Sequence, residues 1–210
     1  MVTIAVEGTH RLTLPAERGI LALDVAAHGP DRDDVVARHA QLHNEIAGLA
    51  RARRDAGAAA AVEVGSPWAW IDAPSGGPDG QTAPVHHVTS TIAITFTDLV
   101  ALAEDVSRFA ARAEVGVQPV RWELSDDSRE GLLDAARGLA VQDAVRRARS
   151  YAEAILPGAD AEPALVSIAE RQVHGGGPGV PMFARADAAG AEFSTPEIEV
   201  EAAIVATFEL

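Results

Sequence analysis

Glu197-Ile198-Glu199-Val200-Glu201-Ala202-Ala203-Ile204-Val205-Ala206-Thr207-Phe208-Glu209-Leu210 closes the chain with every even position apolar and with Glu197, Glu199, Glu201 and Glu209 among the odd ones. A period of two sends successive side chains to opposite faces of a strand. The segment therefore reads as a half-buried strand whose solvent face is acidic. Glu197, Glu199 and Glu201 stand in a row on that face. Like charges in line repel one another, which calls for solvent, an arginine partner or a subunit boundary beside them. Arg121, outward on a strand of its own, is a candidate partner.

Working outward, the same alternation recurs. It marks residues 2–7 (Val2, Ile4, Val6), Gly19–His28 (Leu21, Leu23, Val25), His86–Thr97 (Val88, Ile92, Ile94, Phe96) and Val117–Leu124, and further strands are read at 60–71, with Trp68 and Trp70, and at Ala164–Val173. Three other segments carry helical spacing. After Asp31 or Asp33 as N-cap, Val35, His39, Leu42, Ile46 and Leu49 form a one-sided stripe. Asp98 caps a second helix, Leu99–Ala113, with Leu99, Leu102, Val106 and Phe109 on one side. A third, over 129–155, starts from Ser125 or Ser128. Its stripe of Leu133, Ala136, Ala140, Ala144, Ala148 and Ala152 is thin, and small residues let a helix lie close to a sheet. Asp126 and Asp127 fall where they complement its dipole.

The resulting order is β-β-α-β-β-α-β-α-β-β. Hairpin-joined strands alternating with helices predict an α+β fold of mostly antiparallel sheet backed by helices. The chain reads as a single domain over 1–210, with two interlocked α/β halves, 1–97 and 98–210, as the other division. Two loops rich in Gly and Pro, 72–84 and 174–192, each follow a strand; the first makes a long-looped hairpin.

Composition excludes much chemistry. The chain of 210 residues has no Cys, so disulfides, thiolate nucleophiles and thiolate metal sites are out. It has no Lys either, all 17 basic residues being Arg, which removes Schiff-base chemistry and the phosphate-binding lysine of a P-loop. A net charge of −14 disfavours nucleic acid and anionic membrane as partners. No run approaches the ~18 apolar residues of a membrane span. The opening Met1-Val2-Thr3-Ile4-Ala5-Val6-Glu7-Gly8 lacks the basic and apolar regions of a signal peptide, so a cytoplasmic location is expected.

The remaining candidates are histidines and one glycine-rich loop. His39 and His43, four apart on a helix, face one side and could grip a metal; Ala40 stands where the HExxH signature needs glutamate, and a packed histidine is the ordinary outcome. His86 and His87 are adjacent on a strand and point to opposite faces. His174 follows another strand. Gly175-Gly176-Gly177-Pro178-Gly179 leads towards a strand rather than a helix N-terminus, so it reads as a hairpin connection and not as a phosphate cradle. No catalytic, cofactor-binding or metal residue is assigned.

The ordered set of motifs resembles the SIMPL-domain family, which includes bacterial periplasmic immunogenic proteins and a mammalian protein associated with a signalling kinase. The resemblance rests on Ile4-Ala5-Val6-Glu7-Gly8, on Val25-Ala26-Ala27-His28-Gly29, and on Val120-Arg121-Trp122-Glu123-Leu124-Ser125-Asp126. It extends through Ala140-Val141-Gln142-Asp143-Ala144-Val145-Arg146-Arg147-Ala148 with Tyr151-Ala152. It ends with Ser194-Thr195-Pro196-Glu197-Ile198-Glu199-Val200-Glu201-Ala202 and Val205-Ala206-Thr207-Phe208. It implies an α+β fold and assembly into rings or larger oligomers, and it brings no catalytic motif. Many of its members are exported, unlike the expectation here. The function expected is a non-enzymatic, self-associating scaffold or interaction protein, forming homo-oligomers and using no cofactor. The alternative is a small-molecule or metal-binding protein, or a hydrolase, with a site under loops 72–84 and 174–192.

Overall fold

Nine strands and three helices form among the described residues, which in this computed structural model are 2–72, 84–158, 162–171 and 194–210. In chain order they are β1 (Thr3–Pro15), β2 (Arg18–Gly29), α1 (Arg32–Asp55), β3 (Ala59–Val64), β4 (Trp68–Asp72), β5 (Val85–Phe96), α2 (Leu99–Ala110), β6 (Val115–Val117), β7 (Arg121–Glu123), α3 (Asp126–Ile155), β8 (Ala164–Arg171) and β9 (Glu197–Glu209). The fold is α+β, with antiparallel pairing throughout. The chain gathers into two compact units: one holds the residues up to Ala16 and from Leu124 onward, the other Glu17–Glu123.

The first unit is a sheet in the order β1-β9-β8 with α3 on one face. The first and last strands pair over their full lengths, from Thr3 opposite Glu209 to Pro15 opposite Glu197. The alternation of β9 does what its sequence predicts. Val200, Ala202, Ile204, Ala206 and Phe208 are buried with Ile4 and Val6. Against them lies the alanine stripe Ala136, Ala140, Ala144, Ala148 and Ala152. Ser125 caps α3 by accepting from the Ser128 amide, and Asp126 and Asp127 occupy its first turn. The outer face carries the glutamate row, and its partner is Arg11 of β1, 3.2 Å from Glu201 and 3.7 Å from Glu199. Arg121, the expected partner, lies instead on β7 opposite Ile20 in the other unit. The row alone could not distinguish the two arginines, because the β1–β9 register decides the matter.

The second unit is a sheet in the order β3-β5-β2-β6, with β4 also paired to β5 and β7 to β2. Two expected strands are each broken in two. Gly65-Ser66-Pro67 divides β3 from β4, where Pro67 has no amide to give a ladder and the Gly65 amide donates to the Thr91 carbonyl at 2.8 Å. Pro119 similarly separates β6 from β7, with the Gln118 amide donating to Ala22. The order is therefore β-β-α-β-β-β-α-β-β-α-β-β. Consecutive β1 and β2 enter different sheets instead of forming a hairpin. Asp31 caps α1 and Asp98 caps α2, each through its carboxylate. The helices pack on the face of Leu21, Leu23 and Val25 and of Val88, Ile92, Ile94 and Phe96, all buried. The other face bears Asp24, Ala26, His28, His87, Thr89 and Thr91, paired in register across β2 and β5.

Candidate functional site

His39 and His43, one turn apart on α1, converge on a single hydroxyl. His39 Nε2 lies 3.0 Å and His43 Nδ1 2.8 Å from Ser90 Oγ, on β5 beneath the helix. The two imidazole centroids are 5.7 Å apart. His39 is 2% exposed and Ser90 3%. One proton arrangement satisfies every group: the His39 ring donates to the Val25 main chain, Ser90 donates to His39 Nε2, and His43 Nδ1–H donates to Ser90. Burial pushes the His39 pKa below its ordinary value, the nearby His43 adds to that, and the Val25 main chain opposes it. Buried polar groups need partners, and these contacts give the buried His39 and Ser90 theirs, with the half-buried His43 at the rim. The contacts tie α1 to β5, one hydroxyl meeting one ring nitrogen of each histidine.

The adjacent histidines separate as their strand demands. His87 joins a row across three strands, because Trp70, His87 and His28 are register partners on β4, β5 and β2. The Trp70 and His87 rings are parallel to within 6° with centroids 5.0 Å apart, and His28 follows at 5.9 Å. His87 Nε2 also lies 3.0 Å from Asp72 Oδ2, close enough for an ion pair though not aligned as a hydrogen bond. His86 sits opposite Gly29 and Ile71. His174, the glycine run 175–179 and nearly all of loops 72–84 and 174–192 lie outside the described residues. Among the described residues, no three of His, Asp or Glu cluster as metal ligands, and no helix is long and apolar enough to cross a membrane.

The other concentrations of charge are ion pairs within the fold. Arg53 of α1 grips the buried Asp105 of α2 with two bonds of 2.9 Å and reaches Glu104 at 3.0 Å. Those carboxylates hold its pKa far above the ordinary arginine value. Asp143 of α3, also buried, pairs with Arg146 and Arg147 and accepts from the Thr9 amide. A cavity of about 410 Å³ runs along α3 at Val141, Val145, Arg146 and Arg149. Both of its arginines already hold carboxylates, Asp143 and Glu162.

Two strand edges are also exposed. All eight residues of β8 are exposed, including Leu165, Val166 and Ile168, and α3 covers β1 and β9. All five residues of β4 are exposed as well. The features together define an α+β protein of helix-backed antiparallel sheets. The chain matches the SIMPL family, described as a protein of unknown function (DUF541), over residues 4–208, and it belongs to that family. No curated protein matches it.

Proposed function

We propose that this SIMPL-family chain is a non-enzymatic, self-associating scaffold or interaction protein. The observation that carries the reading is β8. It pairs with β9 on one side, and among the described residues no strand pairs with the other. Leu165 and Ile168 are about half exposed, at 51% and 47%. A long, apolar edge with free main-chain groups is a template for another strand, and soluble proteins usually cover such an edge. A second copy is a common cover. The net charge of −14 opposes association at low salt, so screening should strengthen it.

Light scattering tests the proposal directly. The wild-type chain should scatter as an oligomer at micromolar concentration, more so at 0.3 M than at 0.03 M salt. Ile168→Lys, which places a charge on the exposed edge, should shift it to monomer with its circular dichroism unchanged. A strictly monomeric wild type would refute the reading.

A further inference from the structure

The Trp70–His87–His28 row has an open end. Its three rings occupy neighbouring strands, and β4 is the last of them. The Trp70 ring lies parallel to His87, so one of its faces is taken by the imidazole, and on the side away from β5 no strand pairs with β4 among the described residues. Trp68 is on the same face two residues earlier, and the two tryptophans are 68% and 41% exposed. Among the described residues, no main-chain hydrogen bond outside the ladders involves β4.

Charge selects what such an edge would take. Asp72 follows Trp70 on the same face of β4, and its side chain is 66% exposed. Glu63 lies on that face of β3 opposite Ala93, and Asp24 on β2 opposite Thr91. The face also carries Arg18 and Arg121, both at the far end of β2. Ten residues separate Arg18 from His28, which is roughly 33 Å of extended chain. The tryptophan end is thus acidic and aromatic. His28 and His87 share that end of the face, with His86 beside them on the opposite one.

We propose that β4 is a docking edge for an extended, arginine-bearing peptide segment of a partner protein. A strand added to β4 places a side chain directly opposite Trp70, about 5 Å away at the Cβ. A guanidinium there stacks on the open indole face and continues the ladder, and Asp72 lies on the diagonal within reach of it. Arginine suits the position better than an ammonium because its plane matches the ring. The site differs from the self-association edge in both strand and unit, so the two can fail separately.

The test is a titration of the full chain at pH 8 with short blocked peptides, followed by tryptophan emission and calorimetry. Trp122 is buried and serves as the unresponsive internal reference. A peptide alternating arginine and valine should bind saturably, roughly tenfold more tightly than its glutamate–valine or threonine–valine counterparts. N-methylation at alternate amides should abolish binding while leaving every charge in place. Trp70→Ala should weaken binding roughly tenfold, and Asp72→Asn by a smaller factor with a shallower salt dependence. Equal binding of the neutral peptide, retention of the N-methylated one, or no saturation at millimolar peptide would overturn the proposal. So would a shift of Trp68 and Trp70 emission with protein concentration alone, since that would make a second copy the occupant.

Discussion

Gly8 of β1 and Ala140 of α3 meet main chain to main chain. A Cβ at position 8 would be driven into the Ala140 carbonyl oxygen and would lie 2.9 Å from the Ala144 Cβ. Real Cβ atoms do not come so close, and neither neighbour can swing aside, because one is helix backbone and the other a methyl fixed to it. Gly8→Ala should therefore destabilise the protein by about 2–3 kcal/mol. Urea unfolding with an unchanged m-value would show it; a loss under 0.5 kcal/mol would mean the helix sits farther from the sheet.

Gly138 is the control on the same helix. It is exposed, and a Cβ there meets nothing within 4 Å. Gly138→Ala removes the entropic penalty of glycine in a helix and should raise stability by about 0.5–1 kcal/mol. Thermal melting should show the rise beside the fall at Gly8.

Asp105 is buried while gripped by Arg53 and by Arg108, the latter at 3.1 Å. Removing the carboxylate strands Arg53 between the two helices. The cost of breaking a fully buried pair is about 3–5 kcal/mol. Arg53 retains Glu104 and some solvent contact, so Asp105→Ala should cost about 2–3 kcal/mol. The companion Glu104→Ala, at an exposed carboxylate, should cost under about 1 kcal/mol. Equal losses in chemical denaturation would contradict the assignment.

The His39 pKa lies below 6.5 in the folded chain. On acidification the unfolded chain therefore takes up this proton first. The stability contributed by the neutral ring is complete above about pH 6.5 and is lost as the pH falls through that value towards the folded pKa. Facing the ring are His43 on its own helix, Ser90 from β5 and the Val25 main chain from β2. Melting temperatures between pH 7.5 and 5.5 should fall less steeply for His39→Gln than for the wild type. Parallel slopes would place the acid sensitivity elsewhere.

Periodic burial was legible in the residues themselves because a face packed on one side leaves a repeating mark. The β9 alternation and the alanine stripe of α3 both lie where that mark puts them, as do the caps Asp98 and Ser125. The breaks at Gly65–Pro67 and Pro119 were signalled by proline and glycine but were masked by the apolar alternation around them. Ser90 could also have been found. It occupies an inward position between Val88 and Ile92, and a hydroxyl on a buried face needs a partner. Register was beyond reach: nothing near His87 announces Trp70 or His28, and nothing near Arg53 announces Asp105. Those relations depend on strand and helix alignments between residues far apart in the chain.

The pairing of β1 with β9 also sets an order of events during synthesis. Residues 17–123 hold every described strand and helix of their unit, so that unit can complete itself while the ribosome is still adding residues. Strand β1 has no such option. Its partner β9 is made only after the whole of that unit, and until then thirteen residues of β-forming chain remain an unpaired strand, the kind that recruits chaperones or neighbours.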